Sequence, residues 1–293
     1  MSMRLFQLLT AAGAVACSGA VDPSPPGPHS SFVAVRPGVR IEALDYGGNG
    51  EPLVLLAGAG NTAHVFEGFA GALTDRFHVV GLTRRGFGAS SQPEAGYDTA
   101  TLTGDLRIAL DSLGFRRVTL IGHSVAGDEM TQFAIDHPER VSRLVYLDAA
   151  YDRAALSKLQ ADLHLPDPPG PAEADVMALA AFANYLLRVL ALPLPEAEIR
   201  AITVFARDGS VEGLVTPPQI TAALVAGVVV PDYRRLTAPA LSIYAVPLVP
   251  SDLVPWITPT SPDWPRVQVA FDSVIAPLYR EQRAKFAADV KGG

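Results

Sequence analysis

The chain has 293 residues, 49% of them hydrophobic and 18% charged, with a formal net charge of −7. That is enough apolar material for one large core, which excludes disorder throughout. The negative balance comes without any basic run, so an electrostatic footprint for nucleic acid is excluded as well.

The first predicted element is an export signal over residues 1–16. Arg4 supplies a positive charge, and LFQLLTAAGAVA supplies an apolar core of about a dozen residues. This is too short to span a bilayer, which needs ~20 apolar residues. Ala14 and Ala16 suit the small-residue cleavage site, and Cys17, the only cysteine, follows directly. AVAC resembles a bacterial lipoprotein signal, in which the cysteine is lipidated and becomes the new N-terminus. The expectation is an exported protein, membrane-tethered through a lipid on Cys17 in the periplasm or at the cell surface. Cleavage after Ala16 with plain secretion is the alternative. A lone cysteine leaves no intramolecular disulfide. Residues 17–31, rich in Pro, Ser and Gly, read as a flexible tether.

From residue 32 to 293 the pattern is that of one folded domain. SFVAV and VRIEALDYGG flank a Pro37–Gly38 turn and predict an antiparallel hairpin. The apolar runs PLVLLAG, FHVVGLT, VTLIGHS, LVYLDAA and ALSIYAV follow. Strands buried on both faces have this composition, and their alternation with helical stretches predicts a mostly parallel sheet with helices on both faces. Helices are predicted at 64–74, 100–113, 125–136 and 273–290. Between 153 and 236 helical stretches such as MALAAFANYLLRVLAL are separated by Pro-rich turns without a clear strand. That segment is expected to form a helical cap, its apolar residues either lining an acyl pocket or packing on the core.

Chemistry concentrates at TLIGHSVAGDEM. Ser124 ends an apolar strand and opens a helix, the setting of a nucleophile elbow. A serine in so sharp a turn has strained backbone angles and needs tiny residues two places either side. Gly122 and Ala126 meet that need. The turn also aims the helix N-terminus at the serine, so the Val125 N–H is placed to stabilise an oxyanion.

Three patterns, LLAGAGNTAHVF, TRRGFGASS and GHSVAGDEMTQFAIDHPERVSRLVYLDAA, resemble the α/β-hydrolase family over nearly all of the chain from Phe32. The resemblance implies an α/β-hydrolase fold and a second oxyanion donor on the Ala59 backbone. Ala57 stands where the family commonly has a histidine, removing a side chain that often braces the loop. Arg85, Gly86, Gly88 and Ser90 keep a usually structural family motif, with Thr83 in place of its acid. For the triad acid the resemblance leaves two candidates: Asp148, at the end of LVYLD and favoured, and Asp252, within a Pro-rich loop.

The family's base is a histidine after the last strand, yet no histidine follows His164. The expectation is a chain that stops before the final strand, the histidine loop and the closing helix, leaving an open sheet edge. Of the six histidines, His29, His78 and His137 are expected far from Ser124, and His123 is expected to turn towards the sheet packing in a supporting role. His64 and His164 are the two that sequence position allows as substitute bases. The implied activity is serine hydrolysis of carboxylic esters, on a small-molecule substrate and with no metal or organic cofactor, impaired in this chain for want of the histidine. A non-catalytic binding protein, or amide or carbon–carbon bond hydrolysis on the same fold, is the alternative. Epoxide and haloalkane chemistry is disfavoured because the elbow carries serine rather than aspartate.

Overall fold

A computed structural model describes residues 27–290. The expected signal over 1–16 and the lipidation site Cys17 lie outside the described residues. The domain opens with β1 (His29–Arg36) and β2 (Val39–Gly47), an antiparallel hairpin turning at Gly38 with φ +74°. Strand pairing begins at His29, opposite Asp45, so three residues assigned to the tether belong to the sheet. They are polar because β1 is an edge strand. The Ser30 hydroxyl donates to Glu42 and the Ser31 hydroxyl to the Ala43 carbonyl, bonds that read in sequence like linker composition.

β3 (Glu51–Leu56), β4 (Phe77–Thr83), β5 (Val118–His123) and β6 (Val141–Leu147) follow at the predicted positions. Between them lie a short α1 (Glu67–Ala70) flanked by 3-10 turns, α2 (Thr99–Ser112) and α3 (Ala126–Asp136). After β6 come α4 (Arg153–Leu163), α5 (Leu179–Leu190), α6 (Glu196–Ile202), a hairpin of β7 (Thr203–Phe205) and β8 (Val211–Leu214), and α7 (Pro218–Ala226). β9 (Ala240–Ile243) returns to the main sheet, and α8 (Trp264–Ala270) runs through a π turn into α9 (Ala276–Asp289). The seven-stranded sheet has the order β1-β2-β4-β3-β5-β6-β9, parallel from β4 onward.

Alternation along the strands divides the core in two. Val54, Leu56, Val80, Leu120 and Leu144 face α2, α3 and α9, whose Leu106, Met130 and Phe286 join them. Leu53, Leu55, Val79 and Ile121 face Phe66 and Ala70 on the other side. Beyond β5 that second face opens: Val145 and Leu147 are partly exposed, and Leu241 and Ile243 of β9 are 56% and 55% exposed.

The cap differs from expectation in two ways. It contains the β7–β8 hairpin, turning at Gly209 with φ +86° after Asp208, a strand signal too short to stand out against helical neighbours. The apolar face of α5 packs inside the cap: Phe182, Tyr185, Leu186, Val189 and Leu190 cluster with Ile199 of α6. This is packing within the cap rather than on the sheet core.

Candidate active site

Ser124 sits between β5 and α3 at φ +55°, a left-handed conformation that costs a residue with a side chain about 1–3 kcal/mol. Two hydrogen bonds hold it there. Its N–H donates to the Leu147 carbonyl at 3.1 Å, and its own carbonyl accepts from the Gly127 N–H at 3.0 Å. Crowding at the bend is real: a Cβ on Gly122 would lie 2.7 Å from Met130 Sδ and 3.1 Å from Ala126 Cβ. Sequence reasoning missed the strictest position. A Cβ on Gly127 would lie 2.1 Å from the Ala149 carbonyl oxygen, because α3 starts against the chain leaving β6.

The loop after β3 passes directly over the serine. A Cβ on Gly58 would meet His123 Nδ1 at 2.8 Å and Ser124 Cβ at 3.2 Å. The Asn61 N–H donates to the Gly58 carbonyl at 3.3 Å, closing a tight turn around Ala59 and Gly60, the latter at φ +81°. Ala59 packs on the apolar cluster that holds Val125, Phe87, and Ile220 and Leu224 of α7. Ala59 and Val125, the residues of the two predicted oxyanion donors, therefore share one apolar cluster, with Val125 next to Ser124 in the chain. Among the described residues neither the Ala59 nor the Val125 amide has a hydrogen-bond acceptor.

Bracing that Ala57 cannot supply through a side chain comes from elsewhere. Arg84 Nη2 donates to the Ala57 carbonyl at 3.0 Å while its guanidinium pairs with Glu129 of α3 at 2.5 Å. The His123 ring lies against Gly58 rather than only in sheet packing. Burial, with a smaller contribution from the Arg153 charge, lowers its pKa to about 4, so the ring is neutral at pH 7. The loop after β4 is structural, as its motif implies. Buried Thr83 donates to Glu42 at 2.9 Å and accepts from the Ala63 N–H at 3.0 Å, and the Ser90 hydroxyl donates to the Thr83 carbonyl at 2.7 Å.

The two candidate acids have different settings. Asp148 ends β6 at φ +46°, and its N–H donates to the Ile243 carbonyl of β9 at 2.7 Å. Its buried carboxylate accepts from the Tyr151 hydroxyl at 3.1 Å and the Ala245 N–H at 3.2 Å, and its carbonyl accepts from Arg153 at 2.5 Å. Since Ser124 bonds to the residue just before it, Asp148 stands on the neighbouring strand end. Asp252 instead caps its own turn, accepting from the Leu248 N–H at 2.7 Å and the Val249 N–H at 3.1 Å.

Neither substitute base is available. His64 has Nδ1 2.8 Å from Glu67 and Nε2 3.6 Å from Glu42. Burial opposes its protonation, but hydrogen bonds and attraction to Glu42 and Glu67 prevail and raise its pKa to about 9. It is a cation at pH 7 and has no lone pair for a serine proton. His164 closes α4 on an exposed turn, its Nδ1 2.8 Å from the Asp162 carbonyl. His78 pairs with Asp45 at 3.0 Å, and His137 packs at a tilt against Phe133, ring centroids 5.1 Å apart. Among the described residues no histidine hydrogen-bonds Ser124.

A second buried acid lies under the bend. Asp128, in the first turn of α3, has neither carboxylate oxygen hydrogen-bonded among the described residues. Burial, reinforced by Glu129 and Asp152 and opposed by Arg153, pushes its pKa up to about 8. The folded state thus keeps Asp128 protonated at pH 7, whereas the unfolded chain ionises it near pH 4. This contribution to stability is complete below pH 4 and is lost as pH rises towards 8. Asp128→Asn should gain on the wild type by up to about 1.4 kcal/mol per pH unit over that window. Urea melts of both proteins at pH 5 and pH 8 measure the difference. An equal difference at the two pH values would contradict a protonated Asp128.

The family described as alpha/beta hydrolase fold matches residues 51–207. The chain belongs to the α/β-hydrolase family. A soluble epoxide hydrolase from Corynebacterium sp. is 37% identical over 101 residues, 34% of this α/β-hydrolase and 35% of that protein. The 2-(acetamidomethylene)succinate hydrolase of Mesorhizobium japonicum is 27% identical over 206 residues, covering 67% and 70% of the two chains. The crystal structure of an E-2-(acetamidomethylene)succinate hydrolase superposes with a TM-score of 0.59 at 22% identity, over 73% of this chain and 79% of that one, a likeness of fold. The matched region spans only about a third of several curated relatives, 31% of a mycobacterial protein and 35% of the Corynebacterium enzyme.

Proposed function

We propose that this α/β-hydrolase cleaves carboxylic esters through an acyl-enzyme at Ser124. The observation that carries the reading is the strained serine beneath the Gly58–Ala59 turn, with Ala59 and Val125 in one apolar cluster beside it. Ser124 Oγ adds to the ester carbonyl, and the two N–H groups hold the oxygen on which negative charge develops. Collapse of that intermediate breaks the bond to the leaving oxygen, which departs as the alcohol carrying the proton that Ser124 Oγ gives up through solvent, and leaves an acyl group on Ser124, which water then hydrolyses to the free acid. Asp148, rigidly placed at the adjacent strand end, is the carboxylate of choice for orienting a histidine base; Asp252 is committed to its own turn.

With no histidine hydrogen-bonded to Ser124 among the described residues, these residues are expected to acylate with activated esters and turn over slowly. The oxyanion donors and binding alone are worth roughly 10³–10⁴ over water in a serine hydrolase. The epoxide chemistry named for the Corynebacterium relative is not adopted, because the elbow residue is serine. Amide cleavage, suggested by the name of the Mesorhizobium relative, is the second reading to try on the same serine. Export with a lipid on Cys17 completes the proposal and rests on the AVAC sequence.

Incubation of the full chain with p-nitrophenyl acetate, followed by peptide mass spectrometry, tests it. An acetyl group on Ser124, missing from Ser124→Ala, is the expected result. Acetylation elsewhere, or none, would favour a non-catalytic binding protein and overturn the reading.

A further inference from the structure

Glu198 is fully buried although it is a carboxylate on the cap helix α6. Its Oε1 accepts from Asn61 Nδ2 at 2.9 Å and from the Thr62 N–H at 3.0 Å. Its Oε2 accepts from the same N–H at 3.3 Å and from the Thr62 hydroxyl. Thr62 in turn caps the 3-10 turn that follows, accepting from the His64 N–H at 3.2 Å. Asn61 is the residue whose N–H closes the turn around Ala59. One cap side chain therefore ties down the loop that presents Ala59, two residues beyond the amide that matters.

A buried carboxylate is an expensive way to fasten a loop, since removing the charge from water costs several kcal/mol unless donors replace the hydration. Here donors from Asn61 and Thr62 replace it, and the His64 cation adds attraction; burial still leaves Glu198 harder to ionise than an exposed glutamate. An apolar contact would hold the cap on the domain without such expense. Charge-assisted hydrogen bonds add direction, which apolar packing lacks. Direction is what a donor aimed at an oxyanion requires, because a misplacement of about 1 Å costs on the order of 100-fold. The other side of α6 is anchored independently: Ile199 lies in the apolar cluster of α5, and the Ile202 carbonyl accepts from the Val215 N–H at 2.9 Å. Glu198 is thus rigidly mounted in the cap and bonded to the loop.

We propose that Glu198 is a positioning residue for the Ala59 oxyanion donor, so that the donor is in place only while the cap is seated. This rests on the reading of Ser124 as the acylated serine and Ala59 as its oxyanion donor. Glu198 itself touches no substrate. Its removal should leave the affinity for an uncleaved ester analogue unchanged and slow the acylation step alone.

The experiment measures acetylation of Ser124 by p-nitrophenyl acetate in the full chain, together with binding of an unreactive ether analogue of the ester. For Glu198→Ala the acylation rate should fall roughly 10- to 100-fold with analogue affinity within about twofold of wild type. Glu198→Gln, which keeps an oxygen for the Thr62 N–H, should recover most of the rate. Thr62→Val removes the hydroxyl from the loop side and should slow acylation in the same way, so the test survives if Glu198→Ala fails to fold. Absence of acetylation in the wild type would sink the serine reading itself. A wild type that acetylates alongside variants that acetylate equally fast, or that lose analogue binding and rate in parallel, would overturn the role of Glu198 alone.

Discussion

Asp105→Ala should destabilise the folded chain by about 3–5 kcal/mol, visible as a lower midpoint in urea. Asp105 on α2 receives Arg85 through two parallel hydrogen bonds, Nε to Oδ2 at 2.5 Å and Nη2 to Oδ1 at 2.7 Å. The two side chains are 5% and 3% exposed, and Arg36 adds a third contact at 3.3 Å from the rim. Truncating the acid leaves a guanidinium stranded in the interior with nothing to replace its hydration. Most of the loss is that stranded charge rather than the worth of the pair. The double variant Asp105→Leu/Arg85→Met should therefore regain a large part of it. Arg85 opens the loop carrying Phe87, which packs on Val125, so acylation of Ser124 should weaken along with stability. A double variant no more stable than Asp105→Ala would show that the pair itself carries the stability.

Gly127→Ala should cost about 3 kcal/mol or more and abolish labelling of Ser124. The added carbon would lie 2.1 Å from the Ala149 carbonyl oxygen and 3.0 Å from its carbon. Those are backbone atoms, so relief demands that the start of α3 move away from the β6 exit. That movement breaks the Gly127 N–H bond to the Ser124 carbonyl and releases the strained bend. Gly122→Ala is the informative contrast. Its tightest contact is the Met130 sulfur at 2.7 Å, on a side chain that can swing, and a cost of about 1 kcal/mol is expected. Thermal unfolding of the two variants checks the order; equal losses would mean that α3 is free to shift.

Much of the sheet was legible because its strands are buried on both faces and bounded by turns. FHVVGLT and VTLIGH read as strands in isolation and are β4 and β5. Ser124 was legible for a similar reason: its neighbours Gly122 and Ala126 are small because the bend is crowded, and crowding leaves a mark in composition. Other features left no such mark. His29, Ser30 and Ser31 are as polar in an edge strand as they would be in a linker. Glu198 looks like any glutamate on a short helix, and its burial against Asn61 and Thr62 depends on contact across a sequence separation of 136 from Thr62. The choice between Asp148 and Asp252 was open in sequence because both follow strand-like runs. What sets them apart is position: Asp148 directly follows β6, whose last residue Leu147 accepts the Ser124 N–H, whereas Asp252 accepts two amides of its own turn, and both are matters of tertiary and loop geometry.

By itself, then, the sequence determined the chain order of the main-sheet strands, the serine bend and the apolar faces that make a parallel sheet the economical burial. These follow from local periodicity and side-chain size, which a linear pattern records directly. Tertiary structure alone decided that His64 is a cation held by two glutamates, that Gly127 tolerates no side chain, and that a cap carboxylate holds the loop over Ser124. Each of these depends on electrostatic or steric contact between residues from different elements, a relation that no local pattern encodes.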